Sequence, residues 1–161
     1  MNLSMTGLLL ALVAVIAGAL VPLQAGSNAE LGRTLGHPLW ATVISLAISM
    51  AIVLPIVLNM RVALPALSEI RQLPFWVWFG GVAGVIYITS ALMLVPRLGA
   101  TNFIVCVIAG QLVTSLLMDH YGWMGLSIKA NNPGRLVGGG LVLIGMLTVQ
   151  WFTPSLPAAI K

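Results

Sequence analysis

Apolar residues run along this chain in five long stretches, each bounded by short polar segments that contain glycine, proline or charged residues. The stretches cover residues 5–23, 39–58, 74–95, 98–118 and 136–152. Each is close to the ~20 residues that a helix needs to cross a hydrocarbon core about 30 Å thick. None shows the strict alternation of a half-buried strand. The pattern therefore predicts an all-α polytopic membrane protein, with five transmembrane helices in a single transmembrane domain over residues 1–161.

The composition agrees with a chain that is surrounded by lipid. Hydrophobic residues make up 60% of it, charged residues only 6%, and the mean hydropathy is +1.08. A soluble domain carries roughly 25% charged residues. The formal net charge of +4 comes from basic residues scattered over the loops, which do not form a patch for nucleic acid. We expect the lipid bilayer as the partner, and the inner or plasma membrane of the cell as the location.

The sequence offers little to an enzyme. Asp119 and His120 stand together at the end of the fourth stretch. Neighbouring positions on a helix point about 100° apart, so these two side chains are poorly placed to act as a pair. We find no nucleophile with a nearby base, no ligand set for a metal and no glycine loop for a phosphate. The sequence thus predicts neither enzyme activity nor a metal or other cofactor.

Basic residues are divided almost evenly between the two sides of the membrane. Five spans place Arg61, Arg71, Lys129 and Arg135 on the side of the N-terminus and Arg33, Arg97 and Lys161 on the other. The positive-inside rule then favours a cytoplasmic N-terminus by one residue, four against three. Two interpretations stay open: the chain inserts in both orientations, or one topology is fixed by a partner or by features that the charge count misses.

Several short motifs occur in an order that resembles a known family. They are the segment 22–33 after the first span, Gly80-Gly81 and Gly84 with Tyr87 in the third, Pro96-Arg97-Leu98-Gly99-Ala100, Gly110-Gln111, Asp119-His120-Tyr121-Gly122, and Arg135 with Gly138 and Gly145. Together they resemble the small five-helix YdcZ-like proteins of the drug/metabolite transporter superfamily, once catalogued as a domain of unknown function. The resemblance implies one half of an inverted-repeat transporter, completed by a second copy or a sister chain inserted upside down.

The resemblance further implies a function in transport. We expect an exporter or exchanger of a small molecule, working by alternating access in an antiparallel homodimer or a sister-chain heterodimer. The four-helix multidrug exporters of the superfamily carry a glutamate in their first helix, whereas residues 1–29 here contain no acid. Export of cationic drugs by such a carboxylate is therefore not expected. The alternative is a non-transporting membrane subunit that modulates a partner protein.

The fourth span carries the most costly uncharged side chain. Gln111 lies near its middle and shares one helical face with Thr114 and Ser115. An amide without a partner in hydrocarbon costs several kcal/mol, so Gln111 needs a polar neighbour. It either lines a substrate path or makes an interhelical hydrogen bond of about 0.6–2 kcal/mol.

Three more residues are candidates for substrate binding. Gln24 and Asn28 share a face if the first helix continues past Pro22, where they either line a vestibule or cap the helix end. Tyr87 lies near the middle of the third span, where its ring could stack on a substrate or its hydroxyl could bond across the bundle. We predict a cavity between two protomers, lined by Gln111, Tyr87 and the polar end of the first helix. Amides, hydroxyls and rings suit a neutral or weakly charged organic solute.

Two structural roles complete the predictions. Asp119 ends the fourth helix and Arg135 starts the fifth, and each charge is disfavoured by the dipole of its own helix, so we expect an ion pair between them. Small residues four apart allow close helix approach. Gly80 and Gly84 are thus predicted to form a packing face, and Gly138 and Gly145 to pack in a dimer.

Overall fold

The computed structural model describes residues 5–153, apart from the side chains of Leu67 and Glu69. Lys161, one of the basic residues counted above, lies outside the described residues. Its long helices are α1 (Met5–Thr34), α2 (Pro38–Asn59), α3 (Phe79–Leu98), α4 (Ala100–Tyr121) and α5 (Pro133–Phe152). A short helix, Leu67–Gln72, lies between α2 and α3, and a 3₁₀ turn, Phe75–Trp78, leads into α3. All five long helices are long and apolar enough to cross a membrane. The predicted all-α protein with five transmembrane helices is confirmed.

The first helix is longer than the predicted stretch that ends near Pro22. It continues unbroken to Thr34, and Pro22 lies inside it. Proline removes one backbone hydrogen bond, a loss that membrane helices tolerate when their neighbours compensate. Here the turns after Pro22 are packed, because Ala25, Ala29 and Gly32 are buried. At about 45 Å, α1 exceeds the hydrocarbon thickness, so its last turns reach beyond the core.

Residues Met1–Pro96 form one compact unit, in which α1 packs against α2. Its buried residues all lie where the C-terminal part of α1 meets the start of α2 and the second half of α3. We call this meeting place the junction. Gly32 is at its centre: a Cβ there would lie 3.2 Å from Leu92 Cδ2 and 3.7 Å from Ala41 Cβ. Away from the junction the apolar side chains of these helices are largely exposed.

Residues Arg97–Lys161 form the second compact unit, in which α4 packs against α5. The two helices come closest at Gly139, where a Cβ would lie 3.1 Å from Leu116 Cδ1. Polar contacts join the helices at both ends, between Asn102 and Thr153 and between Asp119 and Arg135. The α4–α5 pair is therefore an antiparallel hairpin that is fastened twice.

The glycines predicted for helix packing do not make close contacts among the described residues. A Cβ added at Gly80, Gly84, Gly138 or Gly145 would meet nothing within 4 Å. Gly32 and Gly139 hold the close helix contacts instead. The reason is that spacing marks a stripe of small residues without telling which face meets a neighbour, and Gly139 points about 100° away from Gly138. Contact of the four open glycines with a second chain stays a prediction.

Candidate functional site

A small polar crevice lies at the junction, between α1 and α3. It is lined by Val21, Gln24, Ala25, Asn28, Tyr87, Ile88 and Ala91. With the open space at its mouth the crevice measures about 170 Å³, and its enclosed part has room for about one water molecule at most. The structure thus brings together three of the residues predicted to bind substrate, Gln24, Asn28 and Tyr87, around a crevice with little free space.

Asn28, which lines this crevice on α1, links α1 to α2. It is only 8% exposed, and its Nδ2 donates a hydrogen bond to Ser45 Oγ at 3.1 Å. Its amide therefore joins two helices rather than capping α1. A second bond links α2 to α3, because the hydroxyl oxygens of Thr42 and Thr89 lie 3.1 Å apart. Since Thr42 also donates to the Pro38 carbonyl, Thr89 supplies the proton of that bond.

Gln24 is the polar group of the crevice that remains available to a ligand. Its side chain is exposed and makes no hydrogen bond with the described part of the chain, although its backbone carbonyl accepts from Ser27. Tyr87 is half-buried on the opposite wall, on α3. An amide and a phenol on facing walls offer three hydrogen-bond donors and two acceptor oxygens within one small space.

Gln111, Thr114 and Ser115 lie on α4, in the second unit. All three are exposed, and Gln111 stands at the centre of a 22-residue helix. Within the described residues the Gln111 amide has no hydrogen-bond partner, whereas Ser115 Oγ donates to the carbonyl of Leu112 at 2.9 Å. The hydroxyl of Ser115 is thus partly committed to its own helix. The Gln111 amide is not.

A second polar cluster, near the start of α4 and the end of α5, was not predicted from the sequence. Gln150 Nε2 lies 2.7 Å from Cys106 Sγ, and Thr153 Oγ1 lies 2.8 Å from Asn102 Oδ1. Asn102 is buried, near the start of α4. The spacing of these residues could have indicated the cluster. Asn102 and Cys106 are four residues apart on α4, and Gln150 and Thr153 are three apart at the end of α5, so each pair lies on one helical face.

Asp119 and Arg135 are in direct contact. Arg135 Nη2 lies 2.5 Å from Asp119 Oδ2, and Nη1 donates to the Lys129 carbonyl at 3.2 Å. The backbone N–H of Arg135 donates to Asn132 Oδ1 at 2.9 Å, so Asn132 caps the start of α5. The side chain of Asp119 is 28% exposed and that of Arg135 is 33% exposed. The structure therefore contains the ion pair that the sequence predicted, half-sheltered at the end of the hairpin.

The loop between α4 and α5 folds back on the helix ends around this ion pair. Lys129 N donates to the Asp119 carbonyl at 2.8 Å, and Asn131 Nδ2 donates to the Leu116 carbonyl at 3.3 Å. The turn needs glycine at Gly122, whose φ is 65° and where a Cβ would lie 2.7 Å from Ile128 Cγ1. These bonds make the loop a fixed end of the hairpin.

A comparison with protein families identifies the chain. The model of the family described as "Putative inner membrane exporter, YdcZ" matches residues 9–148. Neither the curated proteins nor the solved structures contain a match. The matched segment begins inside α1 and ends inside α5, so it includes the junction crevice and the α4–α5 loop. The resemblance seen in the sequence motifs is confirmed.

Within the described residues, no three His, Cys, Asp or Glu side chains form a group that could hold a metal.

Proposed function

Because this chain belongs to the YdcZ family of inner membrane exporters, we propose that it exports or exchanges a small, neutral or weakly charged organic molecule by alternating access. The observation that supports this best is the exposed Gln111 amide at the centre of a membrane span. Lipid is a poor neighbour for it, since an unsatisfied amide in hydrocarbon costs several kcal/mol. A water-filled path or a substrate satisfies it instead.

The distribution of charge supports an uncharged solute. In the five long helices the charged residues lie near helix ends: Glu30 and Arg33 in α1, Arg97 in α3, Asp119 in α4 and Arg135 in α5. The central turns offer amides, hydroxyls and the Tyr87 ring. A fully charged solute crossing there would lose its hydration without gaining a counter-charge.

We propose that the transporting unit is an antiparallel pair, either a homodimer or a complex with a sister chain. Five helices correspond to one half of an inverted repeat, and the charge difference of four against three does not impose one orientation. The cavity between the two protomers is lined by Gln111, Tyr87, Gln24, Asn28, Thr114 and Ser115. Open glycines such as Gly138 and Gly145 leave room for close approach of the second chain.

The bonds of Asn28 and Gln150 favour the second candidate, a non-transporting subunit that modulates a partner protein. Both side chains are used in contacts between helices of the same chain. If every polar side chain in the spans were used in this way, nothing would be left to recognise a solute. Gln24 and Gln111 are not so used, and for this reason we favour transport.

A panel of small metabolites tests the proposed substrate class. A ligand that binds the folded protein raises the unfolding free energy by about 2.7 kcal/mol at 100 times its Kd, which corresponds to a melting temperature several degrees higher. We expect some neutral solutes to stabilise the purified protein in nanodiscs and their charged analogues not to, for example a primary amide against its carboxylate. Stabilisation by charged solutes alone, or by no member of a broad panel, would contradict the proposal.

A further inference from the structure

We propose that His37 is a pH-sensitive cap that fastens α2 at the junction when its ring is neutral and releases it when the ring is protonated. His37 is the N-cap residue of α2, with extended backbone angles φ −153° and ψ 132°. Its Nδ1 accepts a hydrogen bond from the backbone N–H of Leu39 at 3.2 Å. The side chain is exposed, so solution protons reach it directly.

The chemistry of the ring makes this bond conditional. An imidazole nitrogen accepts a hydrogen bond only while it carries no proton, and the protonated ring is a donor at both nitrogens. Histidine is the side chain type that gains its proton under mildly acidic conditions. A positive charge at a helix N-terminus is also repelled by the helix dipole. The neutral ring therefore makes the cap, and the protonated ring cannot make it.

The start of α2 is the part of the helix that holds the junction together. Ala41 is fully buried against Gly32, Thr42 contacts Thr89, and Ser45 accepts from Asn28. All three contacts lie within the first eight residues of the helix. Pro38 has no N–H, so Leu39 provides the first backbone donor of α2, and His37 is the group that satisfies it. Loss of the cap therefore destabilises the first turns of α2, which contact α1 and α3.

The charged groups on the elements around His37 do not replace its role. Glu30 and Arg33, in the last turns of α1, pair with each other, and Arg97 lies in the last turn of α3. In the described residues none of the three forms a hydrogen bond or ion pair with His37. The second histidine, His120, accepts from Asn131 N at 3.4 Å in the α4–α5 loop and caps no helix start. It provides an internal control.

The consequence for transport rests on the proposed function. Ser45 and Thr42 of α2 bond to Asn28 on α1 and to Thr89 on α3, and α1 and α3 line the crevice, so loosening the start of α2 loosens the crevice walls. Acidification on that side of the membrane then favours the open state. In an antiparallel pair each membrane face carries one His37 cap, and a proton gradient would release one of the two.

Hydrogen exchange of the whole protein in nanodiscs tests the cap without any ligand. After correction for intrinsic exchange rates, we expect the amides of residues 39–41 to exchange about three- to tenfold faster near pH 5.5 than near pH 8. His37→Asn keeps a favourable N-cap that does not titrate, and should exchange slowly at both values. His37→Ala should exchange fast at both, and His120→Asn should respond like the wild type.

Two results would overturn the proposal: wild-type exchange at residues 39–41 that is the same at both pH values, or a pH response that persists in His37→Asn. Asparagine is among the best N-cap residues, so this variant tests the titration and not the ability to fold. Because the readout needs no solute, its failure would leave the transport proposal to the metabolite panel. Failure of the panel would likewise leave the pH-sensitive cap standing.

Discussion

Replacing Gln111 with leucine is expected to leave the fold intact and to abolish stabilisation by any solute that stabilises the wild-type protein. The amide is exposed at the centre of α4 and has no hydrogen-bond partner among the described residues. Leucine therefore removes a polar group from the membrane without breaking a bond within the chain, so the melting temperature should stay the same or rise. The solute then loses its hydrogen bonds to the amide and keeps a polar group without a partner, which should weaken binding by about a hundredfold, or about 2.8 kcal/mol, and so remove nearly all of the stabilisation.

The matched control is the same substitution at Gln150. This amide donates to Cys106, so Gln150→Leu should lower stability by about 1 kcal/mol while the response to solute is retained. Thermal unfolding of both variants, with and without the solute, separates the two effects. If Gln111→Leu binds and transports normally, Gln111 only connects helices, and the transporter assignment rests on the family alone.

Breaking the Asp119–Arg135 pair should give the largest loss of stability of any charge removal in the described chain. Each single alanine variant leaves a partly sheltered charge without its partner, which should cost about 1–3 kcal/mol. Arg135→Ala should be the more damaging, because it also removes the bond to the Lys129 carbonyl. Since about a third of each side chain is exposed, solvent screening should limit the coupling energy to roughly 1 kcal/mol.

The Glu30–Arg33 pair supplies the matched control for this double-mutant cycle. Its side chains are 65% and 68% exposed and lie one turn apart on α1. Its coupling should be only about 0.3–0.5 kcal/mol and should fade in high salt. Chemical unfolding in detergent, at low and high salt, measures both cycles. Additive effects of the two alanines at Asp119 and Arg135 would show that their contact contributes nothing to stability.

The number and class of the helices could be predicted because the membrane itself sets them. A hydrocarbon core of fixed thickness demands apolar stretches of about 20 residues, and the chain contains five. The end of α1 could not be predicted in the same way. Pro22 is a local stop signal, whereas the packing of Gly32 on Leu92 and Ala41, which sustains the helix beyond it, depends on residues far along the chain.

Contacts of the site could be predicted where they depend on residues close together in the sequence. Asp119 and Arg135 face each other across one loop, and the helix dipoles around them could be read from the sequence. The partner of Asn28 is 17 residues away and that of Gln150 is 44 away, so only the fold determines these contacts. The same holds for the glycines: a stripe of small residues is visible in the sequence, but the face that a neighbour covers is not.

The orientation of the chain in the membrane tests the proposed antiparallel homodimer most directly. Two reporters fused to the C-terminus, one active only in the cytoplasm and one only outside it, should both give strong and comparable signals. Adding two arginines to the loops of one side should shift the ratio and reduce assembly and transport when the chain is expressed alone. A single orientation, from a chain that transports when expressed alone, would contradict the antiparallel homodimer.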